Sequence, residues 1–192
     1  MMGAGRFDVD DFVAECERTL SEGQPLTAMR DVLDRALTDS SSVAAALDTE
    51  RAGLQTLHRS PHLTVLNVVW PPGMYLFPHD HRMWAAIGIY GGIEENEFFR
   101  RSDGGIVSSG GKTVEEREVL LLGDDAIHAV TNPRGAFTGA LHVYGGDFFG
   151  EPRSEWDPQT FEEQPFDQEH VQRAFDDAAV RWRESQARES GA

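Results

Sequence analysis

The sequence contains one cysteine, Cys16, so no intrachain disulfide can staple the fold and stability must come from a buried core. Basic residues are scarce: 17 Lys and Arg face 33 Asp and Glu, a formal charge of -16. Such a surface repels phosphate backbones and anionic headgroups, so neither nucleic acid nor a membrane surface is an expected partner. No apolar run approaches the roughly 18 residues of a membrane span, and no basic segment followed by an apolar one opens the chain. A cytoplasmic protein is the simplest expectation. The 192 residues suffice for one well-cored domain spanning 1–192, and the oligomeric expectation is a monomer or homodimer.

Present instead are three zones of different periodicity. Residues 1–50 read as helices. Phe12, Cys16 and Leu20 recur on one stripe, a second helix runs from Leu26 to Leu37, and Ser40 to Ser42 offer caps for a short helix from Val43 to Leu47. Cys16 is thereby a packed thiol. From 54 to 149 come short β-branched and aromatic runs: Leu63–Trp70, Met83–Tyr90, Glu97–Arg101, Gly105–Ser109, Val119–Leu122, His128–Thr131 and Phe137–Tyr144. Turn signals such as Pro71-Pro72-Gly73 and Asn132-Pro133-Arg134-Gly135 separate them, the pattern of a sandwich or barrel. Residues 150–167 read as a polar loop wrapping the outside, and Gln168 to about Gln186 as a carboxy-terminal helix with a fraying end.

Three segments carry chemistry. In Gly73-Met74-Tyr75-Leu76-Phe77-Pro78-His79-Asp80-His81, alternate side chains of a strand point the same way, presenting two imidazoles to one side, with Asp80 pointing away. His128 begins a strand after the tight turn Gly123-Asp124-Asp125. In Ala140-Leu141-His142-Val143-Tyr144 an apolar pair alternates with a polar pair, as on a strand lining a cavity. Taken singly, each histidine also fits an ordinary surface or hydrogen-bonded role.

Together these residues resemble the cupin superfamily. Gly73, His79 and His81, with Gly92 as the closing glycine, match the first cupin motif; His128 and Asn132 match the end of the second. Ala85 stands where most cupins carry a ligating Glu, and Gly123-Asp124-Asp125 departs from the usual Pro-x-Gly. Three histidines without the carboxylate, together with His142-Val143-Tyr144, resemble the cysteine dioxygenase (thiol dioxygenase) branch. The resemblance spans roughly residues 54–149. It implies a mainly β cupin double-stranded β-helix, a jelly-roll barrel with amino-terminal helices and a carboxy-terminal helix.

The same resemblance implies a metal on His79, His81 and His128, expected to be Fe(II), with zinc or nickel able to substitute on these ligands. The implied reaction oxidises a small thiol with O2 to a sulfinic acid. Tyr144 would donate a hydrogen bond to substrate or dioxygen, and His142 would orient Tyr144. Asn132 would fix the turn after His128. Arg59 is the expected clamp for a substrate anion, with Arg82 its rival. The thiol cross-linked to the tyrosine in animal relatives has no counterpart in Arg82-Met83-Trp84-Ala85-Ala86, so no such link is expected. Alternatives are a metal cupin of another class (hydrolase, isomerase or carbon–carbon dioxygenase), a non-enzymatic small-molecule binder, and a purely structural jelly roll.

Overall fold

The computed structural model describes residues 6–190; residues 1–5 and 191–192, the latter part of the expected fraying tail, lie outside the described residues. Helices α1 (Val9–Thr19), α2 (Pro25–Leu37) and α3 (Ser40–Ala46) come first. Eleven strands follow: β1 (Gly53–Arg59), β2 (Thr64–Trp70), β3 (Tyr75–Asp80), β4 (Ala85–Gly91), β5 (Ile93–Ser102), β6 (Gly105–Glu115), β7 (Val119–Leu122), β8 (Ile127–Thr131), β9 (Thr138–Tyr144), β10 (Ser154–Trp156) and β11 (Glu163–Pro165). Helix α4 (Gln168–Ser190) closes the chain. No described helix is long and apolar enough to cross a membrane.

All strand pairs are antiparallel, in two sheets ordered β1-β2-β9-β4-β7 and β11-β10-β3-β8-β5-β6. Neighbours distant in sequence, such as β2 beside β9 and β3 beside β8, make this a mainly β jelly roll, with helices at both ends of the chain.

The five-stranded sheet is covered on both faces, which explains why β2 is buried along its whole length and is apolar at all but Thr64 and Asn67. Its inner face packs Leu66, Val68, Trp70, Ile87 and Ile89 into the barrel interior. Its outer face packs Val65, Ala86, Leu141 and Val143 against Met29, Val32, Leu33 and Leu37 of α2. Each such side chain contributes on the order of 1.5–3 kcal/mol by leaving water. Gly88 of β4 lets α2 settle closely, because a Cβ there would lie 2.9 Å from Leu37 and 3.1 Å from Leu33.

Several sequence expectations shift locally. Asp39, not a serine, caps α3 by accepting from the Ser42 N–H. Asp8 does the same for α1, accepting from the N–H groups of Asp10 and Asp11. Residues 53–59, ahead of the first strand read from sequence at Leu63, form β1, and Arg59 ends it. The supposed outer loop 150–167 holds two short strands and buries Arg153, Glu155 and Trp156. Its alternation is too brief to stand out in sequence, and its burial depends on β3 lying beside it. Cys16 sits in the helix-side core, where burial pushes its thiol up to about 12.

Candidate metal centre

Register brings the histidines together. Strands β3 and β8 pair so that His79 lies directly opposite His128, with a shift between Leu76 and His79 around Pro78. His81 follows the end of β3, where the chain turns through Arg82 at φ 56°. The three rings are buried at 5%, 2% and 1% exposure, with centroids 4.7–5.0 Å apart. One nitrogen from each lies within 4.8 Å of the others, and His81 Nε2 stands 3.5 Å from His128 Nε2.

The surroundings suit a metal. His79 Nδ1 lies 3.0 Å from the Phe77 carbonyl oxygen and His128 Nδ1 lies 2.8 Å from Asn96 Oδ1. If each Nδ1–H donates to that oxygen, Nε2 is left with its lone pair, the form a divalent ion needs. Burial holds His79 down at about 4 and keeps His81 and His128 well below the ordinary imidazole range. Three neutral imidazoles crowded in a dry interior, with few partners of their own, therefore fit a divalent transition metal. No carboxylate belongs to the cluster, in keeping with the Ala85 substitution read from sequence.

The cluster borders a narrow cavity of about 20 Å³, walled largely by apolar groups such as Val68, Leu76 and Val171. Tyr144 and His142 enter from β9, Trp70 from β2. The alternation anticipated in β9 holds: Leu141 and Val143 join the helix-side core, while Tyr144 joins the interior and packs edge-on to His81 at 5.1 Å. The Tyr144 hydroxyl lies 2.9 Å from His142 Nδ1, and burial pushes that phenol up. Asn132 has a structural part. Its amide donates to the carbonyls of Trp70, Pro71 and Ala136, pinning the turn between β8 and β9.

Arg59 does not join this group. Its side chain is 48% exposed and bonds Asp147 through Nε and Nη2 at 2.7 and 2.9 Å. The end of β1 simply lies outside. Arg82 is likewise 45% exposed and bonds Asp80 at 2.7 Å. Asp80 does turn away from the histidines, as expected; it also accepts from the Ser154 N–H, tying β3 to β10.

Three buried residues without a sequence expectation stand just behind the cavity wall, and one of them, Arg153, also borders a neighbouring surface pocket with Arg82 and Glu163. Arg153 is only 7% exposed, sandwiched 3.8 Å from the Phe148 ring and 3.7 Å from the Phe166 ring, both of which line the cavity. Its Nη1 and Nη2 have no hydrogen-bond partner, and burial pulls the group down to about 10, leaving it cationic at neutral pH. Asn96 and Glu94, two apart on β5, face the interior together; Glu94 is fully buried. A period-two reading of Glu94-Glu95-Asn96-Glu97 would have flagged this pair, but the density of charge there resembles a solvated edge.

No family model matches the chain. Among solved structures, an RmlC-like cupin family protein with a double-stranded β-helix fold from Methanocaldococcus jannaschii is similar at 13% identity, covering 53% of this chain and 86% of that one, with a TM-score of 0.44. A cupin superfamily protein from Desulfitobacterium hafniense DCB-2 aligns at 13% identity over 56% and 87%, TM-score 0.43. The DMSP lyase DddQ from Ruegeria pomeroyi aligns at 19% identity over 52% and 46%, TM-score 0.41. What the centre can do is therefore read from its own side chains.

Proposed function

We propose that this protein is a metal-dependent thiol dioxygenase that converts a small anionic thiol and O2 into a sulfinic acid. The observation that carries the reading is the convergence of three buried, neutral imidazoles with no carboxylate among them. Such a set leaves the ion's full positive charge to attract an anionic ligand, and leaves adjacent positions open. Ferrous iron, when bound, supplies the meeting point at which a thiolate sulfur takes up both atoms of dioxygen.

The chain's own residues supply the rest. His79, His81 and His128 hold the ion, with Phe77 and Asn96 orienting two of the rings. Arg153 takes the clamp role that sequence assigns to Arg59. Its buried guanidinium has unspent N–H donors, so a substrate carboxylate can pair with it at low cost in fresh desolvation. Phe148 and Phe166 keep that pair out of water, where the attraction is stronger. Tyr144 touches the reacting end of the substrate, and His142 orients Tyr144.

The test is anaerobic loading of full-length protein with ferrous iron, followed by oxygen uptake across a panel of cysteine, mercaptopropionate and cysteamine. A product heavier than the thiol by two oxygen atoms is expected, and His128→Ala should yield none. Metal binding without uptake on any thiol would refute the dioxygenase reading and leave a metal cupin of another reaction class.

A further inference from the structure

The buried carboxylate of Glu94 is used by nothing described so far. It is fully excluded from water, and one oxygen accepts the Trp70 indole N–H at 2.6 Å. The other oxygen has no partner. His142 stands beside Oε1, the oxygen that also holds Trp70: its Nε2 is buried without a hydrogen-bond partner and lies 3.6 Å from that atom. His142 Nδ1 meets the Tyr144 hydroxyl at 2.9 Å. Carboxylate, imidazole and phenol thus form one line ending at the cavity.

Electrostatics decides how protons are distributed along that line. A bare imidazole lone pair aimed at a buried carboxylate is repulsive, whereas an N–H aimed there gives the unpartnered Nε2 an acceptor in Oε1, whose second lone pair is free beside the Trp70 bond. The separation is slightly longer than a hydrogen bond, and such contacts commonly tighten when a site is filled. A neutral ring carrying its proton on Nε2 must offer a lone pair at Nδ1. The single Tyr144 proton is then donated to His142, and the phenol oxygen turns its own lone pairs to the cavity.

We propose that Glu94 is a positioning residue that holds His142 in the Nε2–H form, so that Tyr144 meets the substrate as a hydrogen-bond acceptor. This reverses the donor role that the resemblance implies for Tyr144. It assigns a thiol substrate that carries a donor close to Tyr144 beside its thiolate sulfur, such as an ammonium N–H. The orienting partner is distant in sequence and comes from the opposite sheet, β5 rather than β9. The kinetic consequence rests on the dioxygenase reading; the protonation pattern does not.

The deciding measurement is nitrogen NMR of His142 in full-length, 15N-labelled protein loaded with diamagnetic zinc, assigned by comparison with His142→Gln. Wild-type protein should show the proton on Nε2 and a bare Nδ1. Glu94→Gln, whose amide oxygen can still accept from Trp70, should shift population toward Nδ1–H. Tyr144→Phe should leave the wild-type pattern intact, because Glu94 sets it. Protonation at Nδ1 in wild-type protein, an unchanged pattern in Glu94→Gln, or a switch in Tyr144→Phe each overturns the proposal. With iron and an oxidised thiol, Glu94→Gln should lower kcat by ~10-fold or more and leave KM within about twofold. A raised KM at unchanged kcat would refute it. If wild-type protein oxidises no thiol, the function fails while the NMR outcome still decides the role of Glu94.

Discussion

Strand β9 separates two interiors built on opposite rules. Toward helix α2, Leu141 and Val143 meet a cluster of mostly apolar side chains, and the titratable groups there, Cys16 and Tyr90, are held neutral by burial. Toward the barrel, His142 and Tyr144 face a space holding three more histidines, Asn96, Glu94 and the nearby Arg153, with unpartnered polar atoms on His81, Glu94, Asn96, His142 and Arg153. Buried polar atoms without partners are costly, about 1–3 kcal/mol each, and stable folds normally avoid them. The helix-side core obeys that rule and stabilises the sheet. The barrel side breaks it repeatedly around the three histidines, and on the function we propose an ion and a substrate supply the missing partners.

That contrast can be broken from either side. The largest effect should come from His128→Ala, expected to lower metal affinity by ~100-fold or more and abolish turnover, measured by metal content after dialysis and by oxygen uptake. Leu33→Ala, on the other face, should cost about 2–5 kcal/mol in urea unfolding while leaving metal affinity unchanged, since it opens a void behind the sheet. Equal damage to metal binding would show that the two interiors are coupled. Arg153→Gln should raise KM for carboxylated thiols by about tenfold or more, the loss of a charge-assisted bond worth roughly 1.5–3 kcal/mol, and affect cysteamine far less. Arg59→Ala should leave both unchanged.

The smallest effect concerns pH. Arg101 and then Ser154 hold Glu163 down at about 2 from an ordinary 4.5, by hydrogen bonds that favour the carboxylate. A lowered folded pKa contributes stability above about 4.5 that is lost as pH falls toward 2. Urea midpoints followed from pH 6 to pH 2 should therefore decline less steeply for Glu163→Gln. The gain should be slight, because this pair is largely solvent-exposed.

Much of the centre was readable because local periodicity and a motif coincide. The two-residue alternation of β9 correctly sorted Leu141 and Val143 from His142 and Tyr144, and the His-x-His and later His pointed to one ion. The helices and most core strands were likewise legible from apolar spacing. Arg153 was not, because a three-residue strand carries too little pattern, and an arginine in a polar stretch looks solvated. Arg59 looked equally suitable, but its carboxylate partner Asp147 lies 88 residues away in sequence.

By itself the sequence determined what is local: where the chain turns helical or extended, which face of each strand is apolar, and which residue types are available to hold a metal. Tertiary structure alone decided which distant groups meet. Pairing of β3 with β8 set His79 against His128, and the opposed sheets placed Glu94 behind His142. The docking of β10 on β3 buried Arg153 rather than Arg59. The physical reason is that strand register and sheet closure are collective: they follow from the burial of the whole apolar surface, not from any short window of residues.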